Sequence, residues 1–219
     1  MKQTLDFLKK LKTNNNRDWF EKNKTAYLAA KESFETLVES MVPAIHKFDK
    51  QISKDLKAKD CTFRIYKDVR FSKDKSPYKT NMGAVFNPGG KKSAVAGYYL
   101  HIEPGNSFFG GGVYMPEADK LNAIRQEIDY HQKEFLKLMQ AADFKKFYKG
   151  LSDEDKLKNP PKGYDKEHPL LDILKNKHFI VSHAISDKQL LDKNNTALIA
   201  EGFKAMHPLM RFLRRATEE

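Results

Sequence analysis

Between residues 62 and 114 the apolar residues change their rhythm, and that change limits the folds open to this chain more than any other feature. On either side they recur at helical spacing. Inside the block, β-branched and aromatic residues alternate with polar ones and are interrupted by Gly and Pro. A β-rich block between helical blocks specifies an α+β protein, with N-terminal and C-terminal helices flanking a central, mainly antiparallel sheet. The blocks are 1–48, helical; 62–114, β-rich; and 116–219, helical with a short strand near 178–185. The chain of 219 residues reads as a single domain, with a core large enough to need no disulfide.

The helical blocks can be read in some detail. "MKQTLDFLKKLK" is a basic amphipathic helix with Leu5, Leu8 and Leu11 on one face. It has no continuous apolar run, so it is not a secretory signal. Its apolar face is expected to pack on the rest of the protein, the alternative being an anionic membrane surface. Phe20, Tyr27, Phe34, Leu37, Met41 and Ile45 then predict one long helix over 14–48. Asn14 to Asn16 are its N-cap candidates, Asp18 with Glu21 fits a capping box, and Pro43 is expected to end or kink it. Beyond Pro116, the apolar residues Leu121, Ile124, Ile128, Phe135, Leu138 and Met139 continue a helical stripe. Residues 150–169 are a long loop of the kind that often carries function. The tail is a helix with Leu198, Phe203, Met206, Met210 and Leu213 on one side.

Within the β-rich block, "TFRIYKDVRF", "AVAGYYLHIEP" and "NSFFGGGVY" predict three strands, and "NPGG" at 87–90 predicts a turn. Alternation would put Phe63, Ile65, Val69 and Phe71 on one face of the first strand and Arg64, Tyr66, Asp68 and Arg70 on the other. Lys67 breaks the pattern, so either it snorkels or a bulge or turn begins there. In the second strand, Tyr98, Leu100 and Ile102 form the apolar face, and Tyr99, His101 and Glu103 the polar one. Three consecutive glycines in the third strand mark a place of close approach, with room for a ligand beside the polar face.

Lys and Arg exceed Asp and Glu by 11, an excess that attracts phosphates and polyanions. Much of it sits in "RIYKDVRFSKDKSPYKTN", residues 64–81. Arg64, Tyr66, Asp68, Arg70, Lys75, Tyr78 and Lys79, with His101 from the second strand, are the candidate anion-binding residues. Arginine grips phosphate with paired hydrogen bonds, lysine adds a mobile charge, and tyrosines among cations stack on bases. No catalytic residue follows from spacing alone. The histidines, including His101, His168, His178 and His183, have no metal-site spacing, and no phosphate loop, dinucleotide fingerprint or other cofactor motif occurs. Cys61, the sole cysteine, reads as a small buried apolar residue, and a single thiol fits a reducing cytoplasm. No run is long enough to insert in a membrane.

The order of these stretches resembles a widespread, mostly bacterial family known only as a domain of unknown function, number 2461. "NNNRDWF", "FRIYKDVRFSKDKSPYKTN", "GYYLHIEPGNSFFGGGVYMPE", "PPKGYDKEHPLLDILKNKHFIVS" and "PLMRFL" carry the resemblance over nearly the whole chain. It implies that Arg64, Tyr66, Asp68, Arg70, Asp74, Lys75, Pro77, Tyr78 and Lys79 belong to the family motif. Trp19, Gly110, Gly112, Gly163, Tyr164 and His168 fall in matching stretches. It implies no activity.

Three readings of the cluster follow. The first is a site for a phosphate-bearing small molecule or nucleic acid. The second is an enzyme acting on an anionic substrate, with Asp68 or His101 as general base and Tyr66 or Tyr78 as acid. The third is a structural or interaction module whose arginines are paired internally.

Overall fold

The structure, a computed structural model, describes residues 1–70, 72–93 and 95–217. Its N-terminal helices are α1 (Lys2–Thr13), α2 (Arg17–Lys22), α3 (Lys24–His46) and α4 (Ala58–Cys61). Strands β1 (Met82–Phe86), β2 (Gly97–Ile102) and β3 (Phe108–Val113) follow, then α5 (Ala118–Tyr130), α6 (Gln132–Gln140), α7 (Ala142–Phe147) and α8 (Leu171–Leu174). The chain closes with β4 (Phe179–Ala184), α9 (Asp187–Leu191) and α10 (Asn195–Arg215). Among the described residues the strands form one antiparallel sheet in the order β1-β2-β3-β4. With helices at both ends of the chain, the class is α+β.

One face of the sheet builds the core. Met82, Ala84, Phe86, Tyr98, Leu100, Ile102, Phe109, Val113, Phe179 and Val181 are all buried, at alternate positions as the pleat requires. α10 lies across this face. The Phe203 ring sits 6.0, 5.1 and 5.8 Å from the rings of Phe86, Tyr98 and Phe109. Gly202 leaves the notch that seats Phe109, since a Cβ there would come within 2.2 Å of its ring. Leu5, Leu8 and Leu11 of α1 are buried, and Thr4 Oγ1 donates to the Ala30 carbonyl of α3 at 2.9 Å. The first helix thus packs on the protein.

The predicted long helix over 14–48 is two helices. Asn16 caps α2, its side chain accepting from Trp19 N at 2.9 Å, so the cap is not at Asp18. Asn23 ends α2 and begins α3, and its Nδ2 donates to the Trp19 carbonyl at 2.8 Å. Pro43 lies within α3, which runs on to His46. The stripe after residue 117 is likewise divided, at His131.

The larger correction concerns "TFRIYKDVRF", whose described residues, 62–70, do not form a strand. It touches its neighbours through single bridges, Thr62 to Ala84 and Tyr66 to Tyr78. The strand that pairs with β2 is β1, "MGAVF", which lies outside all three predicted strands. Residues 62–70 and 72–80 instead form an irregular arm. Lys67 N donates to the Pro77 carbonyl at 2.9 Å and Lys79 N to the Ile65 carbonyl at 2.8 Å. Aspartates explain the departure: Asp68 accepts from Arg70 N at 3.2 Å and Asp74 from Ser76 N at 2.9 Å. Such local side-chain bonds compete with a strand ladder. Ile65 is buried but Phe63 is exposed, so the predicted apolar face does not form. Phe71, assigned to that face, lies outside the described residues, as does Ala94 at the start of the second predicted strand.

The glycines of β3 are explained by close strand approach. A Cβ would fall 2.1 Å from the Val181 carbonyl at Gly110, 2.4 Å from that of Gly97 at Gly111, and 2.0 Å from that of Phe179 at Gly112. Gly112 also has φ 127°, which side-chain-bearing residues avoid.

Candidate functional site

The arm positions its charges mostly against one another. Asp68 takes a two-pronged bond from Arg70, Nε at 3.0 Å and Nη2 at 2.7 Å. Those bonds, and to a lesser degree the charge of Arg64, hold the Asp68 carboxyl below its ordinary pKa. The Arg70 guanidinium is therefore held on an exposed carboxylate, which Arg64 influences through its charge alone. Lys67 binds Asp74, and reaches Ser76 Oγ at 3.0 Å. Lys75 Nζ donates to the Val69 carbonyl at 2.9 Å.

Tyr78 points inward. It is 3% exposed, and its ring stacks on Phe20 at 3.9 Å and 12°. Asn15 binds both sides of its backbone, Nδ2 to the Tyr78 carbonyl at 2.9 Å and Oδ1 from Tyr78 N at 3.1 Å. Tyr66, 44% exposed, covers this stack with its ring 5.4 Å from that of Tyr78.

Lys79 and His101 are brought to a common place. On the sheet face opposite α10 lies a hollow of about 620 Å³. Its floor is β2 and β3, with Tyr99, His101, Gly110 and Gly112, and its walls include Phe63 and Lys79 from the arm, and Glu154 from the loop after α7. Glycine on β3 opens this space, and Gly83 on β1 lets the Tyr99 ring lie close, since a Cβ there would sit 2.7 Å from Tyr99 Oη.

Strand alternation sets Tyr99, His101 and Glu103 in a file. Tyr99 Oη is 3.1 Å from His101 Nδ1, and His101 Nε2 is 3.5 Å from Glu103 Oε2, the outer limit of a hydrogen bond. The Glu103 carboxylate accepts hydrogen bonds and donates none, so Nε2 carries the imidazole hydrogen and Nδ1 accepts from the phenol. Burial lowers the His101 pKa, against a smaller upward pull from Glu103, and pushes the Tyr99 phenol up to about 12. Phe108 stacks on His101 at 4.7 Å and 13°. Glu103 is fixed by Thr80 Oγ1 at 3.3 Å, Asn106 Nδ2 at 3.2 Å and, more loosely, Lys12 at 3.8 Å.

At the mouth stands Lys79, its ammonium 5.8 Å over the Phe63 ring. Partial burial, then the charge of Arg64, lowers its pKa. Arg64 makes no side-chain hydrogen bond or ion pair among the described residues. The hollow thus combines a cation short of counter-charge, a phenol, a neutral imidazole and aromatic walls. Tyr99, Phe63 and Phe108 were not among the predicted site residues. Tyr99 shares its strand face with His101, and that alternation is the signal that finds it.

Three of the other histidines make hydrogen bonds within the fold. His168 Nε2 lies 2.9 Å from Asp129 Oδ1, His178 accepts from Met115 N at 3.1 Å, and His183 Nδ1 lies 2.7 Å from the Phe147 carbonyl. Cys61 is buried, and burial pushes its thiol up to about 11, far from a reactive thiolate. Among the described residues no helix is long and apolar enough to cross a membrane.

Compared with known proteins, the chain matches the sequence model of a family described as "Conserved hypothetical protein (DUF2461)" over residues 3–212. No curated protein and no solved structure matches it.

Proposed function

For a chain that belongs to the DUF2461 family, as this one does, we propose that the open sheet face binds a small phosphate-bearing molecule with an apolar body. The observation that carries this reading is the placing of Lys79 beside the Tyr99–His101 file in one glycine-floored hollow. Lys79, reinforced by Arg64, meets the anionic group. Tyr99 and His101 supply hydrogen bonds, and Phe63 and Phe108 pack the body. Such concave sites, mostly apolar with a few convergent polar groups, suit small ligands. A broad nucleic-acid face is the weaker reading, because Lys67, Arg70 and Lys75 spend hydrogen bonds within the arm.

The test is fluorescence titration with 1-naphthyl phosphate. Lys79→Ala should weaken binding about tenfold, the worth of one charge-assisted hydrogen bond, and Arg70→Ala should leave it unchanged. Equal affinity in wild type and Lys79→Ala overturns the proposal. Tight binding of oligonucleotides, falling steeply with salt, would transfer the function to nucleic acid.

A second reading, catalysis, is favoured by the phenol–imidazole–carboxylate file itself. A neutral imidazole between a donor and a carboxylate is equipped as a general base. Release of 1-naphthol from the phosphate or the acetate ester, lost in His101→Gln, would support it; no release from either ester would leave binding alone.

A further inference from the structure

A second hollow, of about 710 Å³, lies where the C-terminal half of α10 meets the connection after α3. None of its lining residues lines the first. Arg214 enters it from α10, yet is only 1% exposed. Its Nε donates to the Ala96 carbonyl at 2.9 Å, and its Nη1 to Asp49 Oδ2 at 2.8 Å and Gln51 Oε1 at 2.6 Å. Its Nη2 is buried with no hydrogen-bond partner. A charged donor left unpaired in the interior is costly, and one in a native fold calls for an acceptor.

The surrounding charges do not supply that acceptor. Asp49 is occupied by Arg214 and by the Tyr98 hydroxyl at 2.8 Å. Glu134 is occupied by Arg215, Nη2 to Oε2 at 2.8 Å. Lys50 and Arg211 also line the hollow, and neither makes an ion pair among the described residues. Both carboxylates on the wall are therefore spent while two cations and part of a third remain. Capping the carbonyl end of α10 accounts for arginines in its last turns. It does not account for a guanidinium drawn into the core with one nitrogen idle.

We propose that this hollow is a second anion site, taking a phosphate group carried on a small organic body. Arg211 and Lys50 hold the phosphate at the rim, Arg214 Nη2 is the donor behind them, and Phe48 and Leu138 flank the body. Arginine suits phosphate because its fork gives paired bonds to two oxygens.

His207 provides a built-in reporter. It lines the hollow 3.9 Å from Asp49, and its ring lies 5.6 Å from that of Phe48. Burial lowers its pKa first; Arg214 and Arg211 push the same way, and Asp49 opposes them. An anion seated among those groups must raise it.

The experiment follows the His207 ring protons by NMR across pH, with and without millimolar phenyl phosphate, and takes the affinity of this hollow from the His207 shifts at increasing phenyl phosphate. The His207 pKa should rise on binding. Arg211→Ala and Lys50→Ala, both at exposed positions where folding is not at risk, should each weaken affinity about tenfold. Lys79→Ala, which weakens binding in the first hollow, should leave the phenyl phosphate dependence of the His207 shifts unchanged, and this separates the two sites. An unmoved His207 titration, or an effect abolished by Lys79→Ala and kept in Arg211→Ala, overturns the proposal.

Discussion

Tyr78 stacks face to face on Phe20, with ring centroids 3.9 Å apart and planes 12° from parallel. This contact ties the charged arm to the N-terminal helices, and it separates the motif residues that hold the fold from those that face solvent. Phe20 is fully buried, within 4.9 Å of the Tyr27 ring and 6.1 Å of Phe7. Tyr78 is thus part of one aromatic cluster under α1 and α3, and the arm's shape depends on it.

Removal of that ring should be felt as lost stability. Tyr78→Ala is expected to cost about 3–5 kcal/mol, as for other large aromatics deleted from a core. Tyr66→Ala, at a half-exposed position, should cost less than about 1 kcal/mol. Urea unfolding of both variants checks the pair. Similar losses would show that stacking is not what Tyr78 contributes.

The sheet should tolerate no side chain at Gly110. The carbonyl of Val181 stands 2.1 Å from where a Cβ would be, and both are backbone-fixed. Gly110→Ala is expected to destabilise by about 3 kcal/mol. Gly150→Ala, with nothing within 4 Å, should change stability by less than about 0.5 kcal/mol. Thermal or urea midpoints of the two variants decide, and a stable Gly110→Ala protein would refute the close-approach explanation.

Acid should weaken the fold in two windows. The pKa values of His101 and His207 are lowered by burial, so folding favours their neutral forms. Their contribution is complete above the unfolded value of about 6.5 and is lost as pH falls through the folded values. Asp68, Glu134 and Asp155, lowered chiefly by hydrogen bonds to Arg70, Arg215 and Lys177, contribute above the usual carboxylate range of about 4 and lose that contribution below it. Unfolding free energy measured by urea should therefore begin to fall near pH 6.5, before any carboxylate titrates. His101→Gln should flatten that first slope. A slope unchanged by the substitution would place the proton uptake elsewhere.

Much of the fold was legible because its signals are local. The stripe Leu5, Leu8, Leu11 marks α1, and the run from Phe203 to Leu213 marks α10 and its buried side. The polar face of β2, with Tyr99, His101 and Glu103 at alternate positions, could be named from spacing and carries the file seen in the structure. Arg214 left a fainter trace. It follows Met206 and Met210 at helical spacing, so an arginine sits on the apolar stripe, where only a buried acceptor can keep it; Asp49, far away in sequence, is that acceptor. Nothing near residue 49 announces this.

By itself, the amino-acid order determined the class of the protein, the positions of its main helices and the two faces of β2, because periodicity of 3.6 or 2 depends only on near neighbours. Tertiary structure decided which stretch became the edge strand, where the cations of residues 64–79 went, and that Lys79 and His101 share a hollow. Residues 62–71 have the alternation of a strand, yet Asp68 and Asp74 bind the arm's own backbone and cations, and Tyr78 is drawn under the helices by Phe20. Those outcomes depend on which partners meet across long sequence separations, and local spacing carries no information about that.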